Sequence, residues 1–233
     1  MGYCSRSQAT ALIRAGRVTL NQRLTRDPEK PVRMGLDHIA VDDAPIEERP
    51  KIYLMMNKPR GVVTTASDEK GRATVYDLLK PGGQWVGPVG RLDKASEGLL
   101  LFTSDSKWAA KITDPESRLE KRYHVQVNCV AGDDLVTRIG AGVTAGGEHL
   151  RVKAARVVRI GGKNSWLEIS LDEGRNRHIR RLLEALGVEV LRLVRVAIGR
   201  LELGNLKKGE VRPLTEGEKR LVDQALDGSS ASE

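Results

Sequence analysis

The 233 residues carry 39 Lys and Arg against 31 Asp and Glu, a net charge of +8, and only 3% are aromatic. No apolar run approaches the ~20 residues that a membrane-spanning helix needs; the longest, residues 98–102, lies between Glu97 and Asp105. Cys4 and Cys129 form no C-x-x-C pair, and His38, His124, His149 and His178 show no ligand spacing, which argues against a disulfide scaffold or a metal site. The surplus of positive charge then favours nucleic acid as the polyanionic partner.

In chain order, Ser5 and Gln8 stand at capping-box spacing ahead of Ala9, Leu12 and Ile13, and Gly16 is placed to stop that helix. Arg6, Arg14 and Arg17 interrupt its apolar pattern, so a secretory signal is not expected and the cytoplasm is the expected location. Residues 17–21 and 38–41 read as short strands. Residues 1–35 hold seven basic and two acidic residues, a local +5. These features predict a small basic α/β module over residues 1–45. The polar stretch 42–51, with Pro45 and Pro50, reads as connecting chain, its linker proper at 46–51.

Residues 52–226 read as a larger unit of strands and hairpins with few helices. Residues 52–56 form a strand; Tyr123, Val125, Val127 and Cys129 alternate with His124, Gln126 and Asn128 on another. Residues 156–160 and 166–171 flank the turn Gly161-Gly162-Lys163-Asn164. Ile179, Leu182, Leu183 and Leu186 make a helical stripe that Gly187 ends, and residues 188–203 are strand-rich with Gly199 as a bulge. The pattern predicts an α+β fold with a largely antiparallel mixed sheet. Residues 227–233 (DGSSASE) read as a disordered tail.

Three segments carry possible chemistry. In Gly90-Arg91-Leu92-Asp93-Lys94-Ala95-Ser96-Glu97-Gly98, Asp93 sits between glycines before an apolar strand, where it can serve as nucleophile or base, or simply cap a turn. Glu173-Gly174-Arg175-Asn176-Arg177-His178-Ile179-Arg180-Arg181 places four arginines at a helix start, against the dipole. A phosphate backbone, a buried carboxylate or a merely solvated face would each account for them. Tyr123 is either a platform for an unpaired base or a core aromatic. Residues 140–145 match G-x-G-x-x-A but lack a βαβ context and read as a loop, and no phosphate-binding G-x-x-x-x-G-K-[ST] occurs. His178, alone among arginines, does not read as a metal ligand.

Together these segments resemble the RsuA-type family of ribosomal RNA pseudouridine synthases. Residues 90–100 match its G-R-L-D-x-x-[ST]-x-G-L-L motif, Asn57-Lys58-Pro59-Arg60-Gly61 its N-K-P-x-G element and Glu120-Lys121-Arg122-Tyr123 its tyrosine motif. Residues 173–181 match its E-G-R-N-R-Q-[IV]-R-R element, with His178 in place of Gln, and residues 193–199 its final element. Cys4-Ser5-Arg6-Ser7-Gln8-Ala9 and residues 13–21 resemble the RNA-binding module of ribosomal protein S-four. Only Met1-Gly2-Tyr3 precede that signature, so the module is trimmed of its first helix or begins further upstream.

The resemblance implies a pseudouridine synthase catalytic domain that isomerises uridine within ribosomal RNA, with the large subunit favoured over the small. It implies Asp93 as the essential carboxylate, attacking the anomeric carbon or removing the 2′ proton. Arg180 rather than Arg181 would face it, and Tyr123 would stack on the uracil and stand nearest its carbon 5 proton. Arg91, Arg175, Arg177 and Arg181 would contact RNA, as would Arg6, Arg14, Arg17 and Arg23 of the first module, chiefly through phosphates. Ile198 and Leu201 would line the pocket wall. Isomerisation needs no redox partner or group donor, so neither cofactor nor metal is expected, and the protein is expected to work as a monomer. Two other readings compete. One is a non-catalytic RNA-binding assembly factor, which should lack Asp93, Tyr123 or Arg180. The other is a glycosidase pairing Asp93 with Glu97 or Asp105, which a basic surface disfavours.

Overall fold

A computed structural model of the chain describes residues 3–33, 35–47, 49–79 and 84–229. Helix α1 (Arg6–Arg14) starts at the expected capping box: the Gln8 amide donates to Ser5 Oγ and the Ser5 amide to Gln8 Oε1. It gives way to Gly16 at φ +73°. Strands β1 (Val18–Leu20), β2 (Arg23–Thr25), β3 (Ile39–Val41) and β4 (Ala44–Pro45) form a sheet in the order β2-β1-β3-β4. Strand β4 lies in the stretch expected as connecting chain. Asp42 and Asp43 both take positive φ, +48° and +64°, which makes a tight two-residue hairpin and folds Ala44 and Pro45 back onto β3. Proline's missing N–H is tolerated at such an edge.

The rest of the chain builds a nine-stranded sheet from β5 (Tyr53–Lys58), β6 (Gly87–Val89), β7 (Glu97–Thr103), β8 (Lys121–Val127), β11 (Ala154–Ile160), β12 (Ser165–Leu171), β13 (Val190–Ile198), β14 (Leu201–Glu202) and β15 (Val211–Pro213). The order is β11-β12-β8-β13-β7-β5-β15, with β14 on β13 and β6 on β7. Among the described strand pairs only β13 with β7 is parallel, besides an isolated parallel bridge between Val63 and Thr74; the expected α+β, largely antiparallel architecture is present. Strands β9 (Val143–Ala145) and β10 (Glu148–Leu150) make a separate hairpin.

The two faces of the sheet are covered differently. On one, α3 (Asp133–Ala141) and α4 (His178–Ala185) bury Leu135, Ile139, Ile179, Leu182 and Leu183 against Val125, Val127, Leu167, Ile169 and Leu193. Further along that face, Val62, Val75, Val86 and Leu92 from the connecting loops cover Met56, Leu100 and Phe102. On the other face, α2 (Ser106–Thr113) and α5 (Glu216–Ser229) pack Trp108, Ile112, Val222 and Leu226 on Met55, Leu99 and Leu101. Each such side chain, fully buried, contributes about 1.5–3 kcal/mol. Among the described residues no helix is long and apolar enough to cross a membrane.

Three local expectations need correcting. Residues 140–145 are not a loop: they close α3 at Gly142 (φ +76°) and become β9, because Leu135 and Ile139 anchor a short helix on one turn-spaced pair. Gly199 is not a bulge. At φ +55° it opens the two-residue turn that pairs Ile198 with Leu201, while the irregularities of β13 fall between Val190 and Arg192 and between Arg195 and Ala197. The segment expected as a tail begins as helix, since α5, anchored by buried Leu226, runs on to Ser229; residues 230–233 lie outside the described residues.

Candidate active site

The chain leaves β6, turns at Gly90 (φ +74°) and enters β7, whose second residue is Gly98 (φ +103°). At Gly98 a Cβ would stand 2.2 Å from the Arg195 carbonyl oxygen, so only glycine lets β7 and β13 meet there. Between the two glycines, five consecutive carbonyls accept hydrogen bonds from outside the loop. Thr64 Oγ1 donates to Leu92 (2.7 Å), Lys58 Nζ to Asp93 (3.0 Å), the Gly61 amide to Lys94 (2.8 Å), an Arg180 guanidinium nitrogen to Ala95 (3.0 Å) and Lys58 Nζ to Ser96 (2.9 Å). Backbone carbonyls that would otherwise need water are thereby fixed to β5, the following turn and α4. The partly exposed Asp93 carboxylate takes no hydrogen bond or ion pair within 4.0 Å among the described residues.

Electrostatics around Asp93 are cationic. Lys58 is fully buried; burial pulls its ammonium down to about 8, although the charges of Asp93 and Glu97 hold it up. Arg180, partly buried, is pulled below the ordinary arginine value by desolvation and by Arg177 and Arg60, and raised by Asp93. The expected facing of Arg180 and Asp93 therefore takes the form of a through-space charge interaction plus a hydrogen bond to the loop, not a direct ion pair. Arg180 Nε is buried with no hydrogen-bond partner among the described residues, and a cleft of about 430 Å³ beside Arg177 and Arg180 is otherwise lined by Glu184 and residues 187–190, not by Asp93 or Tyr123. Arg181 points elsewhere, to Glu148 (2.6 Å) and the Ala145 carbonyl (2.8 Å). Helical geometry explains the divergence, since adjacent residues stand ~100° apart around the axis.

Tyr123 lies on β8 opposite Arg195, which in turn lies beside Gly98. Its partly buried ring packs against both apolar clusters of the face from which the Asp93 loop rises. Asp93, Arg180 and Tyr123 are thus brought to one face by three separate segments. Arg91 and Arg177 are exposed near them in sequence, and Arg177 takes the left-handed conformation (φ +50°) at the start of α4. Arg175 is engaged by Glu173 (2.8 Å) and the His149 carbonyl (3.1 Å).

Other expected residues lie apart. Ile198 and Leu201, at 2% and 1% exposure, leave almost no surface for a ligand; they pack in the cluster under α2 and α5 with Met55 and Leu99 and do not form a pocket wall. The pairing shifts register between Arg195 and Ala197, so the face that Ile198 takes does not follow from that of Arg195 by simple alternation. In the N-terminal module Arg6, Arg14 and Arg23 are exposed, whereas Arg17 is bound by both oxygens of Asp42. Lys58 and Thr64 carry the loop but were not assigned a role from sequence. The available signal was a lysine ending the apolar run Tyr53-Leu54-Met55-Met56, just before Pro59.

The RNA pseudouridylate synthase family profile matches residues 52–185, and the S4 domain profile matches residues 1–37. The chain is 34% identical to ribosomal large subunit pseudouridine synthase B of Bacillus subtilis (strain 168), over 99% of this chain and 95% of that protein. It is 37% identical to an uncharacterized RNA pseudouridine synthase of Aquifex aeolicus, over 93% and 88%. A crystal structure of a pseudouridylate synthase superposes with TM-score 0.67 at 30% identity, covering 94% of each chain.

Proposed function

The chain belongs to the RNA pseudouridylate synthase family, and on that premise we propose that it converts one uridine of large-subunit ribosomal RNA to pseudouridine through Asp93. The reading of the subunit draws on relatives named for that substrate. The observation that carries the chemistry is the Asp93 loop: five anchored carbonyls and one unpaired carboxylate beside a cation. A group held so rigidly meets the sugar without reorganising.

The target base is unstacked to reach the site. The bond from uracil N1 to C1′ breaks, the uracil turns while held, C5 bonds to C1′, the C5 proton is removed and N1 takes up a proton. Atoms and electrons balance within the substrate. Asp93 acts on the sugar, by attack at C1′ or by removal of the 2′ proton; either role requires the ionised carboxylate. Tyr123 stacks on the uracil and stands nearest its C5 proton. Arg91 and Arg177 take the flanking phosphates. Residues 1–45 serve as an RNA-binding module, joined through 46–51 to the catalytic domain that begins at residue 52. In this reading the protein acts as a monomer in the cytoplasm.

Mapping pseudouridines in ribosomal RNA from a strain lacking the gene tests this. The expected result is the loss of one large-subunit pseudouridine, restored by the wild type and not by Asp93→Asn. A loss confined to small-subunit RNA, or none, would overturn it.

A further inference from the structure

On the face of the sheet opposite Tyr123, helices α2 and α5 cover β7 and β5, and among the described residues the part formed by β11, β12 and β8 carries no helix. Strand alternation fixes what stands there. Leu167, Val125 and Leu193 point into the cluster beneath α3 and α4, so their neighbours Trp166, Gln126 and Arg192 point the other way. The pairing sets these in a row across four strands: Arg159 on β11 opposite Trp166 on β12, then Gln126 on β8, then Arg192 on β13. The Arg192 guanidinium lies 5.4 Å from the centre of the Trp166 ring. The next row holds Arg156, Glu168 and His124, with Arg122 beyond.

We propose that this row is a docking platform for an unpaired stretch of the RNA substrate, with Trp166 stacking on a base and Arg159 on its phosphate. The proposal rests on the RNA-modifying reading and adds a second contact surface to it. Charge favours RNA. Four arginines (122, 156, 159 and 192) stand on this face; Glu202, Glu168 and Glu97 pair with Arg122, Arg156 and Arg192, while Arg159 is exposed and has no ion-pair partner among the described residues. A partly exposed indole flanked by guanidinium groups offers a base a flat apolar surface and its backbone a counter-charge, the combination that holds single strands without reading sequence. A protein partner buried here would meet one aromatic among polar side chains, an unfavourable interface core. Strand β11 is the sheet edge and exposes Arg156 and Arg159, so a strand leaving the catalytic face can round that edge onto the platform.

The test uses the full chain with a large-subunit ribosomal RNA transcript and a short oligouridylate. Oligouridylate should quench tryptophan fluorescence in the wild type and not in Trp166→Phe. Trp166→Ala should bind the transcript about 5- to 150-fold more weakly, the range for one lost base stack. Arg159→Glu, an exposed change that leaves the core intact, should weaken binding and its salt dependence. Single-turnover conversion at saturating transcript should persist in all three, which separates this proposal from the catalytic reading: a wild type that binds and quenches without forming pseudouridine would sink the latter alone. Transcript affinity within twofold of wild type in both Trp166→Ala and Arg159→Glu would overturn the platform. Unchanged RNA affinity with loss of binding only to protein-bearing ribosomal particles would do so too, assigning the face to a protein.

Discussion

The Lys58 ammonium lies 3.0 Å from the main-chain oxygen of Asp93 and 2.9 Å from that of Ser96, so one buried side chain closes both ends of the turn that carries the carboxylate. The Ser96 amide completes that turn on the Asp93 carbonyl at 3.0 Å. Lys58→Met should release the loop. A displacement near 1 Å at a reacting group reduces rate by about 100-fold, and single-turnover conversion should fall by at least that. Each buried carbonyl left without a donor costs roughly 1–3 kcal/mol, but removing a desolvated ammonium offsets part of the loss. Urea unfolding should show a net destabilisation of about 1–3 kcal/mol. A rate within threefold of wild type would show that the clamp is dispensable.

The same lysine ties stability to pH. Burial lowers it to about 8 from 10.5 in the unfolded chain, so between those values the unfolded state holds the extra proton. Stability therefore rises with pH across this window. Lys121, pulled down to about 8 by burial and Arg195, contributes with the same sign. The difference between wild type and Lys58→Met isolates Lys58: the wild type should gain about 1–3 kcal/mol relative to the variant between pH 7 and pH 10.5. Parallel stability curves for the two proteins would show that Lys58 titrates normally.

Arg180 and Arg181 are neighbours with different work. Arg180 holds the Ala95 carbonyl and feels the Asp93 charge; Arg181 braces the β9–β10 hairpin through Glu148. Arg180→Met should lower the single-turnover rate by about 100-fold or more, through the loss of both loop anchor and nearby cation. Arg181→Met should lower it less than tenfold. Equal losses in the two variants would reverse the assignment.

Much of this was readable from residues, and the gaps have physical causes. The capping box at Ser5, the alternation around Tyr123 and the stripe of α4 are local periodic signals, and each became the expected element. Helices α2 and α3 bury two apolar residues apiece, Trp108 and Ile112 in one and Leu135 and Ile139 in the other, too few to register as a stripe. Within the site, Asp93 and Arg180 were legible through motif resemblance. The role of Lys58 was not, because its partners are main-chain oxygens up to 38 positions away that no side-chain pattern encodes. Ile198 was misplaced because its assignment rested on motif resemblance alone, and the register shift between Arg195 and Ala197 leaves the face of a residue beyond it unreadable from the sequence.

In the N-terminal module, Arg6, Arg14 and Arg23 are exposed and unpaired among the described residues, whereas Arg17 is held by Asp42. Replacing the three free arginines with Gln should flatten the dependence of log affinity on log salt by roughly 0.7–0.9 per lost phosphate contact. Arg17→Gln should change the slope far less. An unaltered slope in the triple variant would restrict the module to a structural part.

The most direct measurement is single-turnover formation of pseudouridine by Asp93→Asn on a large-subunit ribosomal RNA transcript, alongside its binding affinity. The substitution keeps the side chain's size and the five anchored carbonyls, and removes only the charge. Binding within a few-fold of wild type with no detectable pseudouridine is the predicted result. Conversion at the wild-type rate would contradict the assignment of the reaction to Asp93.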